Sequence, residues 1–174
     1  RDSMLFDKPD YDWPVLSTLM WISARYEGNL NVLDFGGSLG SLYFQNRKFL
    51  NDLKEVRWNI VEQPHFVDCG KQHFENQQLR FYYDIPSCIR ENNVNIILLS
   101  SVLPYLKEPY TLLKQLLEYN FEFILIDKMP LISSTKDRIT VQKVPPSIYD
   151  ASYPAWFFSE SNFYQFLNNH YTIR

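Results

Sequence analysis

The chain has 174 residues, 45% of them hydrophobic and 21% charged, with a formal net charge of −3. That content suits one domain with its own core and excludes a disordered chain. The balance gives no basic stripe for a nucleic-acid backbone, and no apolar run reaches the ~18 residues of a bilayer span. Cys69 and Cys88 stand in neither a metal-like nor a disulfide-framework spacing, so a reducing cytoplasm is the expected setting. The start at Arg1, with no Met and no secretory leader pattern, points to an excised or processed piece.

In chain order, a helix is predicted over 13–28. Pro14 suits its first turn, Leu16, Leu19 and Met20 form an apolar stripe, and Gly28 is placed to end it. Strand-like runs follow at 31–35, 57–62, 79–83, 95–100 and 121–127, separated by helix-length stretches at 41–53, 65–74, 87–92 and 110–119. Residues 96–99 and 123–126 are apolar without alternation, the pattern of strands buried on both faces. Repeated β-then-α with short links predicts an α/β fold: a doubly wound, mostly parallel sheet with helices on both faces. After 127 the chain offers one strand at 139–144 and then a Pro- and Tyr-rich loop. A helix follows, opened by Ser159 as N-cap with Phe158 and Phe163 as its hydrophobic staple, and "YTIR" begins one more strand.

Three of the chain's 5 glycines fall in "NVLDFGGSLGSLYF" (31–44), between the first strand and its helix. Glycine permits such a bend and lets a ligand approach the backbone, while a helix start near Ser41 offers free N–H groups and a positive dipole end. In open parallel sheets, ligands sit at the carboxyl ends of strands near the reversal of strand order. The dinucleotide fingerprint fails, because two and five positions after Gly36 stand Ser38 and Ser41. Asp34, Gly36 and Gly40 fit instead the acidic-x-Gly-x-Gly-x-Gly loop of class I S-adenosylmethionine (SAM)-dependent methyltransferases. Ser38 takes the middle position and Gly37 comes one place early. Glu62 ends the second strand, where a carboxylate can accept from both ribose hydroxyls. Asp84 ends the third, and the fourth runs into "SSVLPYL" with Ser100 and Ser101.

With these residues in view, residues 30 to 174 resemble class I SAM-dependent methyltransferases. More narrowly, "VLDFGGSLGS", "VEQPHFV", "LLSSVLPYL" and "VPPSIYDASYPAWFFS" resemble a little-characterised bacterial methyltransferase family associated with surface-polysaccharide and O-antigen biosynthesis regions. The resemblance implies a Rossmann-like fold, SAM as cofactor and O-methylation of a small-molecule or saccharide-related acceptor. It also implies a closing antiparallel hairpin, of which this chain holds at most the beginning, and proteins longer at the N-terminus. The expected organisation is a single domain over 1–174. Its parts are an N-terminal helical segment (1–29), a cofactor-binding core (30–127) and an acceptor-side insert with the last helix and partial strand (128–174).

Each residue carries two readings. Asp34 shapes the loop and contacts the SAM amino group, and Gly36, Gly37 and Gly40 serve turn geometry or ligand approach. Glu62 is a ribose ligand or a solvated carboxylate. Asp84 holds the adenine amino group or makes turn chemistry before Pro86, and Ser100 and Ser101 bind cofactor or cap a helix. A sugar hydroxyl would profit from a base, for which Asp127, His65 and Tyr105 are candidates. Their alternatives are a terminus salt-bridged to Lys128 and a surface histidine. Among the loop aromatics Tyr149, Tyr153, Trp156, Phe157 and Phe158, Tyr153 and Trp156 with Gln142 are assigned to the acceptor and Phe157 and Phe158 to the core. The loop's other reading is a hydrophobic flap. No metal site is predicted. The rival functions are a non-catalytic methyltransferase-like binding module and an NAD-dependent Rossmann-type sugar-modifying enzyme.

Overall fold

The computed structural model describes residues 8–148 and 150–173. Its elements run α1 (Trp13–Arg25), β1 (Asn29–Phe35), α2 (Ser41–Leu50), β2 (Glu55–Val61), α3 (Pro64–His73), β3 (Leu79–Tyr82), α4 (Ile85–Glu91) and β4 (Ile96–Ser100). A 3-10 turn (Leu103–Tyr105), α5 (Pro109–Glu118), β5 (Phe123–Asp127), β6 (Leu131–Ile132), β7 (Arg138–Lys143), β8 (Ser152–Ser159) and α6 (Glu160–Asn168) complete the chain. The chain divides into two compact units, one of residues 8–100 with 121–127 and one of 101–120 with 128–173.

The first unit is the doubly wound sheet that the sequence predicts. Five strands lie in the order β3-β2-β1-β4-β5, every neighbouring pair parallel. One face carries Leu30, Val32, Val56, Trp58, Ile60, Leu79, Phe81, Ile96 and Leu98, and α1, α2 and α3 cover it through Val15, Leu19, Ile22, Leu42, Tyr43, Leu50 and Val67. Residues of the other parity, Leu33, Val61, Ile97 and Leu99, are buried as well. This is why β4 reads as a continuous apolar run. On that second face Asn92, at the end of α4, donates to the Tyr82 hydroxyl at 2.9 Å.

Helix boundaries follow local chemistry. Asp12 caps α1, whose second residue is Pro14, and left-handed Gly28 (φ +84°) turns the chain into β1. Near the end of α1, the Tyr26 hydroxyl donates to Glu122 just before β5. Burial first, and then that carboxylate, push the phenol up to about 12.

The second unit contains a three-stranded sheet in the order β6-β8-β7, with β8 parallel to β6 and antiparallel to β7. The α6 N-cap appears as predicted: Ser159 accepts from the Asn162 amide at 3.4 Å, and the Phe158 and Phe163 rings meet at 5.7 Å. Tyr110 of α5 lies against the same pair and Phe166, so an aromatic cluster forms this unit's core.

Two expectations are corrected. Residues 152–158, read as loop, belong to strand β8. Pro154 argues against a strand in the sequence, but at Pro154 the strand has only β7 beside it, opposite Val141, because β6 reaches no further than Phe158 and Ser159. Residues 171–173 form no strand, and Arg174 lies outside the described residues. Tyr149 of the aromatic loop also lies outside them. Among the described residues no helix is long and apolar enough to cross a membrane.

Candidate functional site

Because β1 to β5 are parallel, their carboxyl ends share one edge. The chain runs outward from central β1 to β2 and β3, then resumes on the other side with β4 and β5. The reversal of strand order therefore falls between β1 and β4, where open α/β sheets leave a crevice for ligands. Asp34 with its glycine loop and Ser100 sit at those two strand ends. Glu62, the turn to Asp84, and Asp127 stand at the ends of β2, β3 and β5.

Asp34 is 1% exposed, and its Oδ2 accepts from the Trp58 indole N–H at 2.9 Å. A carboxylate taken out of water needs such partners, and the register supplies this one: Asp34 pairs with Ile60, which puts Trp58 diagonally across on the same face. The loop closes on that carboxyl group. A Cβ on Gly37 would lie 2.5 Å from Asp34 Oδ2, so only glycine fits there. Gly36 (φ +73°) donates its amide to the Val61 carbonyl at 2.9 Å, and Gly40 (φ +93°) donates to the Gly37 carbonyl at 3.0 Å. Gly37 and Gly40 thus answer first to the protein's own interior.

Between them Ser38 takes a left-handed backbone (φ +51°), which the sequence did not reveal. Its hydroxyl is buried and has no hydrogen-bond partner among the described residues. Helix α2 then begins at Gly40 with no side-chain cap and no acidic residue in its first turn. An uncapped N-terminus after a tight loop is an anion-receptive group of amides.

Glu62 is half-buried directly after β2, with a carboxylate oxygen accepting from the Gln63 amide. Asp84 caps α4: its Oδ1 accepts from the Ser87 amide at 2.6 Å. The Ser87 amide, and then its hydroxyl, hold this fully exposed carboxyl below the usual carboxylate range. At the other side of the edge, register places Ser100 opposite Asp127, and the Ser100 hydroxyl donates to Asp127 Oδ2 at 2.6 Å. Ser101 and Lys128, which follow these two strands, both take left-handed backbones (φ +59° and +54°). His65 is exposed at the start of α3, its ring against Phe66.

Within the second unit, three sequence candidates come together, and a fourth, Trp156, is anchored beside Leu106. The Tyr105 hydroxyl donates to Gln142 Oε1 at 3.1 Å, and the Tyr105 and Tyr153 rings meet edge to face at 5.4 Å. The Trp156 indole donates to the Leu106 carbonyl at 3.0 Å and stacks on buried Phe158. Phe158 is core as expected, whereas Phe157 is exposed on the facing side of β8.

No protein-family model matches the chain, and no curated protein matches it by sequence. Solved structures do. The N-terminal domain of EvdMO1, solved with S-adenosylhomocysteine (SAH) and D-fucose, aligns over 92% of this chain and 73% of its own, with a TM-score of 0.57 and 13% identity. The glycopeptide N-methyltransferase MtfA, complexed with SAM, aligns over 89% and 82%, with a TM-score of 0.57 and 9% identity. The magnesium protoporphyrin IX methyltransferase of Synechocystis PCC 6803, with bound SAM, aligns over 90% and 66%, with a TM-score of 0.50 and 14% identity. The chain therefore has the Rossmann-like fold of SAM-dependent methyltransferases.

Proposed function

We propose that the protein is a SAM-dependent methyltransferase that O-methylates a small-molecule or saccharide-related acceptor. The observation that carries this reading is the strand-end arrangement. A buried Asp34 holds a glycine loop that opens an uncapped helix, and Glu62 stands at the end of the neighbouring strand. Structural neighbours solved with SAM or SAH support the same cofactor.

The residues fit the group. SAM carries a carboxylate, which suits the amides at the start of α2, and a ribose, whose hydroxyls suit an acceptor-only carboxylate such as Glu62. Asp34 shapes the loop and is assigned to the cofactor's amino group. Asp84 already serves as a helix cap, and its second oxygen is the one available to an adenine amino group. When bound, SAM supplies an electrophilic methyl group on a positively charged sulfur. What the chain must add is alignment, together with a place for the acceptor's proton. Asp127, held by the Ser100 hydroxyl, is assigned the base role ahead of exposed His65. Tyr105, Gln142, Tyr153 and Trp156 are assigned to the acceptor, their ring faces and amide suiting a polyhydroxylated ring.

Calorimetric titration with SAH and with NAD tests the cofactor. SAH should bind, NAD should not, and Glu62→Ala should weaken SAH by about ten-fold, the cost of one charge-assisted hydrogen bond. Absence of SAH binding by folded protein, or unchanged affinity in Glu62→Ala, would sink the proposal. Binding without methylation of any sugar or small hydroxylated acceptor would favour the non-catalytic module instead.

A further inference from the structure

Ser38 combines two unfavourable features at one position. Its backbone is left-handed (φ +51°), a region that glycine enters freely and L-residues with a Cβ do not. Its hydroxyl is buried, the residue being 9% exposed, and finds no partner among the described residues. Buried polar groups are ordinarily hydrogen-bonded, so an orphaned one calls for a reason. Glycine would remove both costs, yet serine stands there.

The surroundings indicate the partner. Ser38 lies between Gly37, where any Cβ would strike the Asp34 carboxyl, and Gly40, which opens α2 without a side-chain cap. Asp34 is buried, and its Oδ2 accepts from the Trp58 indole. A ligand group satisfying both the Ser38 hydroxyl and the α2 amides must accept hydrogen bonds and is favoured by negative charge. SAM has one such group, its α-carboxylate.

We infer that the Ser38 hydroxyl is a specificity-determining donor to the carboxylate of the cofactor's amino-acid arm. The inference rests on the SAM reading above. Its consequence is that the loop selects cofactors that keep this carboxylate, through a side chain where a glycine loop would offer only backbone.

The test compares SAM with decarboxylated SAM, which differs only in lacking that group, by calorimetry on wild type, Ser38→Ala and Ser38→Gly. Wild type should prefer SAM. Ser38→Ala should weaken SAM by about ten-fold, the loss expected for a hydrogen bond to a charged group, and leave decarboxylated SAM within about two-fold. Ser38→Gly also relieves the backbone, so it should fold at least as well and show the same selective loss. Without ligand, the melting temperature of Ser38→Ala should be unchanged or higher, since an unpaired hydroxyl is being removed. The inference is overturned if either variant keeps wild-type SAM affinity, if both ligands weaken equally, or if ligand-free Ser38→Ala melts lower. Wild type that binds neither ligand would remove the SAM reading itself, a result distinct from all of these.

Discussion

At the scale of single residues, the glycine loop is built around a buried carboxylate rather than around the ligand alone. Gly37 has no positive φ of its own, so alanine there is refused by contact: its Cβ would stand 2.5 Å from Asp34 Oδ2. Gly37→Ala should therefore lower stability by about 1–3 kcal/mol, the usual cost of overpacking, and weaken SAH as the loop shifts. Urea midpoints and calorimetry would show it, and an unchanged midpoint would mean that the loop yields without cost. Asp84 carries a pH signature. Its folded pKa is lowered by Ser87, so its stabilising contribution is complete above the unfolded carboxylate value of about 4. It disappears as pH falls through the lower, folded value. Asparagine also caps helices but does not titrate there. The midpoint difference between wild type and Asp84→Asn should hold from about pH 7 to about pH 5 and vanish in acid. A difference that ignores pH would contradict the assignment. Much of this loop was legible in the sequence: Asp34, the glycines and the helix start all showed. The Trp58 contact was not, because it spans 24 positions and exists only through the β1–β2 register. Nor was the left-handed backbone at Ser38, since serine as a residue type gives no sign of it.

Among the elements, prediction succeeded where an apolar pattern and a local signal coincided. The five parallel strands and α1 to α4 appear at the predicted places, with ends moved by a few residues. At α6 the Ser159–Phe158–Phe163 grouping was enough to find the helix and its cap. Strand β8 was missed because Pro154 reads as a breaker, and the half-paired position that tolerates it is a tertiary fact. Ser159 also has a second role that periodicity cannot show. Its hydroxyl donates to the Ser134 carbonyl at 2.6 Å, and its amide donates to Asp137 at 2.7 Å, tying the 134–137 turn to the start of α6. Ser159→Ala loses the cap and leaves the half-buried Ser134 carbonyl short of its donor. It should cost about 2 kcal/mol and speed amide hydrogen exchange in the first turn of α6 and around Ser134. Unaltered exchange in both segments would show that the helix start is held by its phenylalanines instead.

For the whole molecule, the decisive feature is where the strand order reverses. Proteins of unlike chemistry share this fold, so the fold narrows the site without naming the substrate. The order β3-β2-β1-β4-β5 puts the end of β1 at the reversal, and the glycine loop, Ser38 and Glu62 all belong to β1, β2 and the connections that follow them. A cofactor held there should act on the first unit's strand ends directly. At a hundred-fold excess over its Kd, SAH should stabilise the folded chain by about 2.7 kcal/mol through mass action, provided that the unfolded chain does not bind it. Hydrogen exchange should slow over residues 36–44 and 61–63 and stay unchanged over 138–159. The second segment should respond only when a hydroxylated acceptor is added, because its Gln142 and Tyr153, which meet Tyr105, are the residues assigned to the acceptor. Protection of 138–159 by SAH alone would move the cofactor away from the β1 end. Protection of neither segment would leave the uncapped start of α2 as a feature of the loop's geometry with no ligand behind it.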